Sequence, residues 1–433
     1  MDAVELLQRL IRFDTTNPPG NELGCQQFIR GLLEGAGLTV GFHAATPDRP
    51  NLLARLPGRG EAPPVLWYGH VDVVTTAQQT WTVPPFEGRL QDGMVWGRGA
   101  LDMKGGVAMM LTAILRAAAA GFRPPGDLVL ALVCDEETGG EKGAQFLADT
   151  HPGLFAGIRY AVGEFGGCTT MVGGQRFYPI QVAEKQMCGL RATVRGPAGH
   201  ASIPAPGGTM ARLGRFLQRI DARALPVHVT PVARRMLGTM AATIGGLPGL
   251  LLRQVLRPAT TDLVLRLLGA RGRDLFPLLR HTAVPTLLQG GLKYNVIPSE
   301  ATVVLDGRIL PGFAPADLLA EVRAVTGDLA DLEVIRFQPG PPATDLAWFP
   351  TLAGILRELD PTGTPVPLML SGATDARFLA RLGIQTYGFL PMRLPPDFAF
   401  ARVIHAADER IPVEALAFGV EALSRLLRHG PPR

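Results

Sequence analysis

The chain has 433 residues, 47% of them hydrophobic and 18% charged, with a formal net charge of +4. That length exceeds one typical core, so two domains are expected, and the apolar share suffices to build them. Lysine occurs only at Lys104, Lys142, Lys185 and Lys293, and the arginines that carry the remaining positive charge are dispersed without interleaved aromatics, which argues against a nucleic-acid footprint.

The N-terminal stretch MDAVELLQRLIRFD places Val4, Leu6, Leu7, Leu10 and Ile11 at amphipathic helix spacing, unlike a signal-peptide core. Helical patterns follow at Cys25 to Leu33 and Gly105 to Ala120, alternating with strand-like runs at Val65 to Tyr68, Leu128 to Val133 and Ile158 to Val162. Such alternation predicts an α/β fold with a mostly parallel sheet covered by helices. After Glu184 the pattern changes. Leu190 to Val194, Thr302 to Leu305 and Leu332 to Ile335 read as strands and Pro315 to Val325 as a helix, so an α+β domain is expected to be inserted. The expected division is 1–186 and 343–433 for the catalytic domain and 187–342 for the insert. Within it, Leu225 to Arg280 is rich in Leu, Arg and Met at helical spacing and is read as extra helices packed on the smaller domain, with His228 and His281 structural. A basic helix for a membrane surface is the sharper alternative. The longest apolar runs, such as AMMLTAIL from Ala108, fall far short of the ~20 residues that cross a bilayer, and no membrane partner is expected.

Chemistry-bearing residues gather at the predicted strand ends. His70 and Asp72 lie in YGHVDVV, Asp102 in GRGALDMKGG, Glu136 and Glu137 in CDEETGG, Glu164 in VGEFGG and His405 in IHAADER. Each has a bland reading alone: a hydrogen-bonded histidine, a glycine turn, a solvated glutamate pair, or a surface cluster of His405 with Asp408 and Glu409. Together they supply imidazole nitrogen and carboxylate oxygen in the amounts a two-metal site needs. Residues two apart on an extended chain share a face, so Asp72 is expected to bond the far ring nitrogen of His70.

These motifs, with RFDTTNPPGNE, GPAGHAS, NVIPSE, the DGR ending at Arg308 and SGATDAR, resemble the co-catalytic zinc metallopeptidases that include aminoacylase, carboxypeptidase G, acetylornithine deacetylase and succinyl-diaminopimelate desuccinylase. The resemblance implies that His70 and Glu164 hold one zinc ion, Glu137 and His405 the other, and that Asp102 bridges them. Cobalt or manganese could replace zinc. It further implies Glu136 as general base, Asp72 behind His70, and His200 reaching a site from the insert. Asn295, Arg308 and Gly372 are the implied substrate contacts, although Arg308 could instead pair with Asp306. Asp102–Met103 is expected to be a cis peptide.

The expected enzyme is a metal-dependent amidohydrolase that cleaves a peptide or N-acyl bond beside a free carboxylate, of carboxypeptidase or aminoacylase type. An aminopeptidase or dipeptidase with the same metal centre is the runner-up. A catalytically silent binding protein is disfavoured because Glu136 and every ligand are present. A dinucleotide-binding reading of GRGALDMKGG fails because its spacing is not GxGxxG. A homodimer through the insert, with His200 entering the partner's site, is expected. Cys25, Cys134, Cys168 and Cys188 form no CxxC pair and are read as reduced thiols in a cytoplasmic protein, with Cys168 left out of an already complete ligand set.

Overall fold

The computed structural model describes residues 2–203, 206–340 and 343–432. Its larger sheet has nine strands. Across the sheet run Thr39–Ala44, Pro50–Leu56, Leu128–Val133, Val65–His70, Tyr160–Gly163, Gln385–Gly388, Gln175–Glu184 and Thr364–Leu370, with Thr170–Val172 paired to Gln175–Glu184. The central neighbours Leu128–Val133, Val65–His70 and Tyr160–Gly163 are parallel, as predicted, and Gln385–Gly388 joins them in parallel, while Pro50–Leu56 and the edge strand Thr39–Ala44 are antiparallel to their neighbours.

The parallel strands are buried nearly throughout, which is why they read as unbroken apolar runs. One face is covered by Ala3–Ile11, Lys104–Ala119 and Val413–Leu426, whose Leu7, Leu10, Val107, Met110, Leu416 and Leu423 enter a single core. Gly163 is needed for close approach, because a Cβ there would lie 2.0 Å from the Tyr68 ring.

A second sheet of four antiparallel strands has the order Thr282–Gly290, Glu300–Ile309, Gln186–Arg195, Asp331–Gln338. Helices Thr209–Ala222 and Pro315–Thr326 pack on it around Phe216, Leu305 and Val322. This is the expected α+β unit. The boundary placed at 342 lies outside the described residues.

One expectation is corrected. The helices between Leu225 and Arg280 do not form a layer on the smaller sheet. Pro231–Ile244 packs on Thr364–Leu370 and Gln175–Glu184, at the edge of the larger sheet, and its Val232, Met236, Leu237 and Met240 belong to the larger core. Arg235 also lies over the Phe349 ring, 5.1 Å from its centroid. The edge strand has an apolar side that needs a cover, and this helix supplies it.

Candidate metal centre

Three neighbouring parallel strands deliver the acids and imidazoles at their carboxyl ends, where open α/β sheets place ligands. His70 ends Val65–His70 and pairs in register with Val133, which puts the Asp135–Thr138 turn beside it. Glu164 directly follows Tyr160–Gly163. Asp102 precedes the helix Lys104–Ala119, and the Asp102–Met103 peptide is cis, as the resemblance implies. His405 follows a short helix, Phe400–Val403, with φ 61°.

The five residues converge into two groups that share Asp102. His70, Asp102 and Glu164 form one, and Asp102, Glu137 and His405 the other, with the ligand atoms of each group within 4.8 Å of one another. His70 Nε2 lies 3.1 Å from Asp102 Oδ1 and 3.4 Å from Glu164 Oε2. His405 Nε2 lies 3.1 Å from Asp102 Oδ2 and 3.4 Å from Glu137 Oε2. Asp102 thus presents one oxygen to each imidazole, as a bridging carboxylate must.

The electrostatics carry the mark of crowded acids. Burial lifts Glu164 to about 7, against hydrogen bonding from His70. Burial and the Glu164 carboxylate push Glu136 well above the usual carboxylate range. Burial disfavours the His70 cation, yet its bonds to Asp102, Asp72 and Glu164 raise its pKa well above the ordinary value. His405 is raised to about 10 by its bonds to Asp102 and Glu137. Burial also opposes ionisation of Asp102, but the two imidazoles hold its pKa well below the ordinary value.

Among the described residues, Glu164 has only the 3.4 Å contact of its Oε2 with His70 and no closer hydrogen-bond donor, and Oε1 of Glu137 is buried without a donor. Buried anions left this way are costly. Two divalent cations would compensate them, and the imidazole and carboxylate donors suit such ions. The residues present fit a dinuclear centre.

Asp72 departs from its expected geometry. The nearest acceptor to His70 Nδ1 is the Asp72 backbone carbonyl at 3.0 Å, with the carboxylate Oδ1 at 3.5 Å. The carboxylate instead accepts the backbone N–H groups of Glu136 at 3.2 Å and Glu137 at 3.1 Å, and the Asn17 amide at 2.8 Å. Asp72 therefore fixes the His70 tautomer through its main chain and the glutamate turn through its side chain.

Sequence reasoning missed several residues behind this layer. Asn17, inside a quoted motif but given no role, also donates to Thr138 Oγ1 at 2.9 Å. Arg49 joins Glu22 at 2.5 Å and Asp135 at 3.0 Å, all buried. Asp375, in SGATDAR, is fully buried, with Arg377 4.0 Å away and, among the described residues, no hydrogen bond to either oxygen, and burial lifts it to about 6. Glu409, noticed in the sequence only for the surface cluster it could form with His405 and Asp408, has no exposure and binds Arg98 at 2.5 Å.

The implied substrate residues lie apart from this cluster. His200 is exposed in a short ladder with Val296–Ile297, and its ring bonds Ser202 Oγ at 2.7 Å. The Asn295 carbonyl accepts the Ala201 N–H at 3.1 Å, so Asn295 travels with His200. Arg308 makes a two-pronged pair with Asp306 at 2.7 and 3.0 Å. Gly372 sits in the bend after Thr364–Leu370. Among the described residues, none of these four shares a hydrogen bond or ion pair with the five clustered residues.

His228, His281 and Glu321 form a second group with metal-like spacing. The Leu310 N–H donates to His281 Nδ1 at 3.1 Å, so the neutral ring carries its proton on Nε2 and offers Glu321 no lone pair. Phe313 packs on both rings, with centroids at 4.7 and 4.8 Å. This group is structural, as expected.

The profile of peptidase family M20/M25/M40 matches residues 66–429, nearly the whole span that carries the site. The chain belongs to this family. It is accordingly a metal-dependent peptidase or amidohydrolase. Mouse N-fatty-acyl-amino acid synthase/hydrolase PM20D1 is 29% identical over 369 residues, covering 81% of this chain and 71% of that protein. Succinyl-diaminopimelate desuccinylase of Magnetococcus marinus is 27% identical over 452 aligned positions, covering 100% of both. Among solved structures, the M20 metallo-carboxypeptidase Sso-CP2 of Sulfolobus solfataricus superposes with a TM-score of 0.69 at 15% identity, over 99% of each chain. A Bacillus subtilis M20 protein described as a dinuclear metal-binding peptidase gives 0.60 at 13% identity, over 98% of this chain and 96% of its own. These two likenesses establish the M20 fold for the chain.

Proposed function

We propose that this M20 protein is a dinuclear zinc hydrolase that cleaves a peptide or N-acyl amide bond beside a free carboxylate, of carboxypeptidase or aminoacylase type. The observation that carries it is the Asp102 carboxylate, with one oxygen 3.1 Å from His70 and the other 3.1 Å from His405. His70 and Glu164 would hold one ion, Glu137 and His405 the other, with Asp102 between them. Cobalt and manganese suit the same donors. Bound there, the pair of ions supplies an activated water and a polarised scissile carbonyl.

The protein's own part is proton handling and positioning. Glu136 shares its turn with Glu137 but has none of Glu137's contact with His405, so its carboxyl is free to take a proton and deliver it to the leaving nitrogen. Asp72 holds that turn through two backbone bonds. His200 would steady the developing oxyanion from the smaller unit, while Asn295, Arg308 and the Gly372 bend read the substrate's carboxylate. The acids Asp102 and Glu164 stand against an apolar wall of Leu101, Met103, Phe165, Leu390 and Phe400.

The smaller unit, expected as 187–342, serves in this reading as lid and dimerisation surface. Its edge strand Thr282–Gly290 exposes Val284, Leu287 and Leu288 at 55, 63 and 55%, and such an edge invites a second copy. Four unpaired cysteines accord with a cytoplasmic protein.

A panel of N-acyl amino acids and dipeptides, each as free acid and C-terminal amide, tests the reading with zinc-reconstituted enzyme. Amidation should lower kcat/KM, because the partly buried Arg308 guanidinium would lose the substrate carboxylate it reads beside Asp306. Equal turnover of both forms would favour aminopeptidase or dipeptidase chemistry.

A further inference from the structure

Residues 225–280 hold eight arginines, two aspartates, no lysine and no glutamate, a net +6 against +4 for the whole chain. The remainder of the protein is therefore slightly acidic in net, and although basic residues occur throughout, the net positive excess falls on this segment. Its three consecutive helices, Gly246–Gln254, Pro258–Leu267 and Ala270–Leu275, follow Pro231–Ile244, the helix that covers the larger sheet.

These helices bury Leu252, Val255, Val264 and Leu265 and still leave four leucines in solvent. Leu247 and Leu250 are 68 and 54% exposed, and Leu263 and Leu267 are 60 and 68% exposed. Spacings of three and four residues put each pair on one helix face. Arg253, Arg257, Arg266, Arg271 and Arg273 lie among and just after them in the chain, all exposed and, among the described residues, all without an ion pair. Asp262 is engaged by Arg280 at 2.7 Å, which leaves Asp274 to offset these arginines.

We propose that this helical segment docks the enzyme on an anionic phospholipid surface, with Leu247, Leu250, Leu263 and Leu267 entering the acyl boundary and the arginines meeting the headgroups. Apolar side chains interspersed with unpaired cations match the interfacial layer in both respects. Burial against a second copy is opposed by charge, since a two-fold contact would bring two +6 segments together. Nucleic acid has no use for four exposed leucines and finds no aromatic to stack on within the three helices. The sequence favoured plain packing helices here over a membrane-surface helix, and, among the described residues, no helix is long and apolar enough to cross a membrane. Lying on a surface is a different physical demand.

The test is co-sedimentation of the full-length, metal-loaded protein with vesicles of phosphatidylcholine alone or mixed with phosphatidylserine. Binding is expected only to the mixed vesicles and should fall steeply with added salt. Replacing the four leucines by serine, or separately Arg253, Arg257, Arg266 and Arg273 by glutamine, should weaken it at least tenfold while leaving hydrolysis of a soluble substrate unchanged. No binding by the unaltered protein, or binding that neither set of substitutions weakens, would overturn the proposal. So would a dimer that dissociates when the leucines are replaced, because their cover would then be a second copy.

Discussion

Glu409 holds the backbone that carries Asp102: its Oε1 accepts the Asp102 N–H at 3.1 Å and the Leu101 N–H at 2.7 Å. Its Oε2 accepts from Arg98 at 2.5 Å and from the Gly99 N–H at 3.1 Å. Four residues after His405, it ties the loop of one group to the shared carboxylate of both. Glu409→Gln leaves Arg98, which is 1% exposed, as a buried cation without its anion. The expected loss is about 3–5 kcal/mol of unfolding free energy, as for other broken buried pairs. Metal affinity should fall about 10–100-fold, as when outer supports of ligands are removed. Denaturant unfolding and metal titration read the two effects, and an unchanged midpoint would show that the pair is not structural.

Glu136 and Glu137 are adjacent in sequence but differently engaged. Glu137 faces His405 at 3.4 Å, whereas Glu136 has no imidazole contact of that kind among the described residues. Glu136→Gln is expected to keep the metal content near that of the unaltered protein while hydrolysis falls at least ~100-fold. Glu137→Gln should lose metal from one position. Elemental analysis beside turnover distinguishes them, and two variants that behave alike would remove the division of roles.

The legible part of the site was its first layer. His70, Asp102, Glu137, Glu164 and His405 stand next to apolar runs or glycine turns, so strand ends and local motif context brought them out. What supports them was not legible, because the partners are far apart in the chain. Glu409 and Asp102 are 307 residues apart, and Asn17 and Asp72 are 55 apart. Asp72 lies beside His70, but its main chain rather than its carboxylate makes the closer contact, and alternation on a strand says nothing of the turn that carboxylate holds. The helices after Leu225 were recognised as helices and assigned to the smaller domain, whereas Pro231–Ile244 joins the larger core. Amphipathic spacing reveals that a face is buried, not what buries it.

Lys185 gives a pH dependence away from the metal cluster. Its Nζ donates to the Arg280 carbonyl and Thr282 Oγ1, both at 3.0 Å, and burial, helped by the nearby Arg308 cation, lowers its pKa to about 7. The unfolded chain keeps this amine protonated to about pH 10.4, so between these values it binds more protons than the folded one. Stability from this group therefore rises as pH climbs from 7 to 10, and the full cost of burying the cation is felt below 7. Lys185→Met should flatten that slope, by at most about 5 kcal/mol over the window. Unfolding free energies at several pH values decide it. A variant that keeps the full slope would place the titration elsewhere.

His200 lies on the exposed ladder of the smaller unit, beside Asn295 and near Tyr294, which is fully exposed at 100%. Within one chain its ring bonds only Ser202 among the described residues. If His200 acts on the substrate, it must be brought to a cluster it does not touch here. A two-fold dimer through the Thr282–Gly290 edge would do so by offering each subunit's ladder to its partner's metal centre. A closing motion of the smaller unit within one chain is the competing account. Mixing inactive His200→Ala with inactive Glu136→Gln under subunit exchange separates them. In the dimer arrangement each hybrid contains one site with both residues intact and one with neither, so activity returns to as much as half that of the unaltered enzyme per hybrid. If exchange is confirmed by mass and the mixture stays inactive, His200 serves its own chain and the shared-site dimer is wrong.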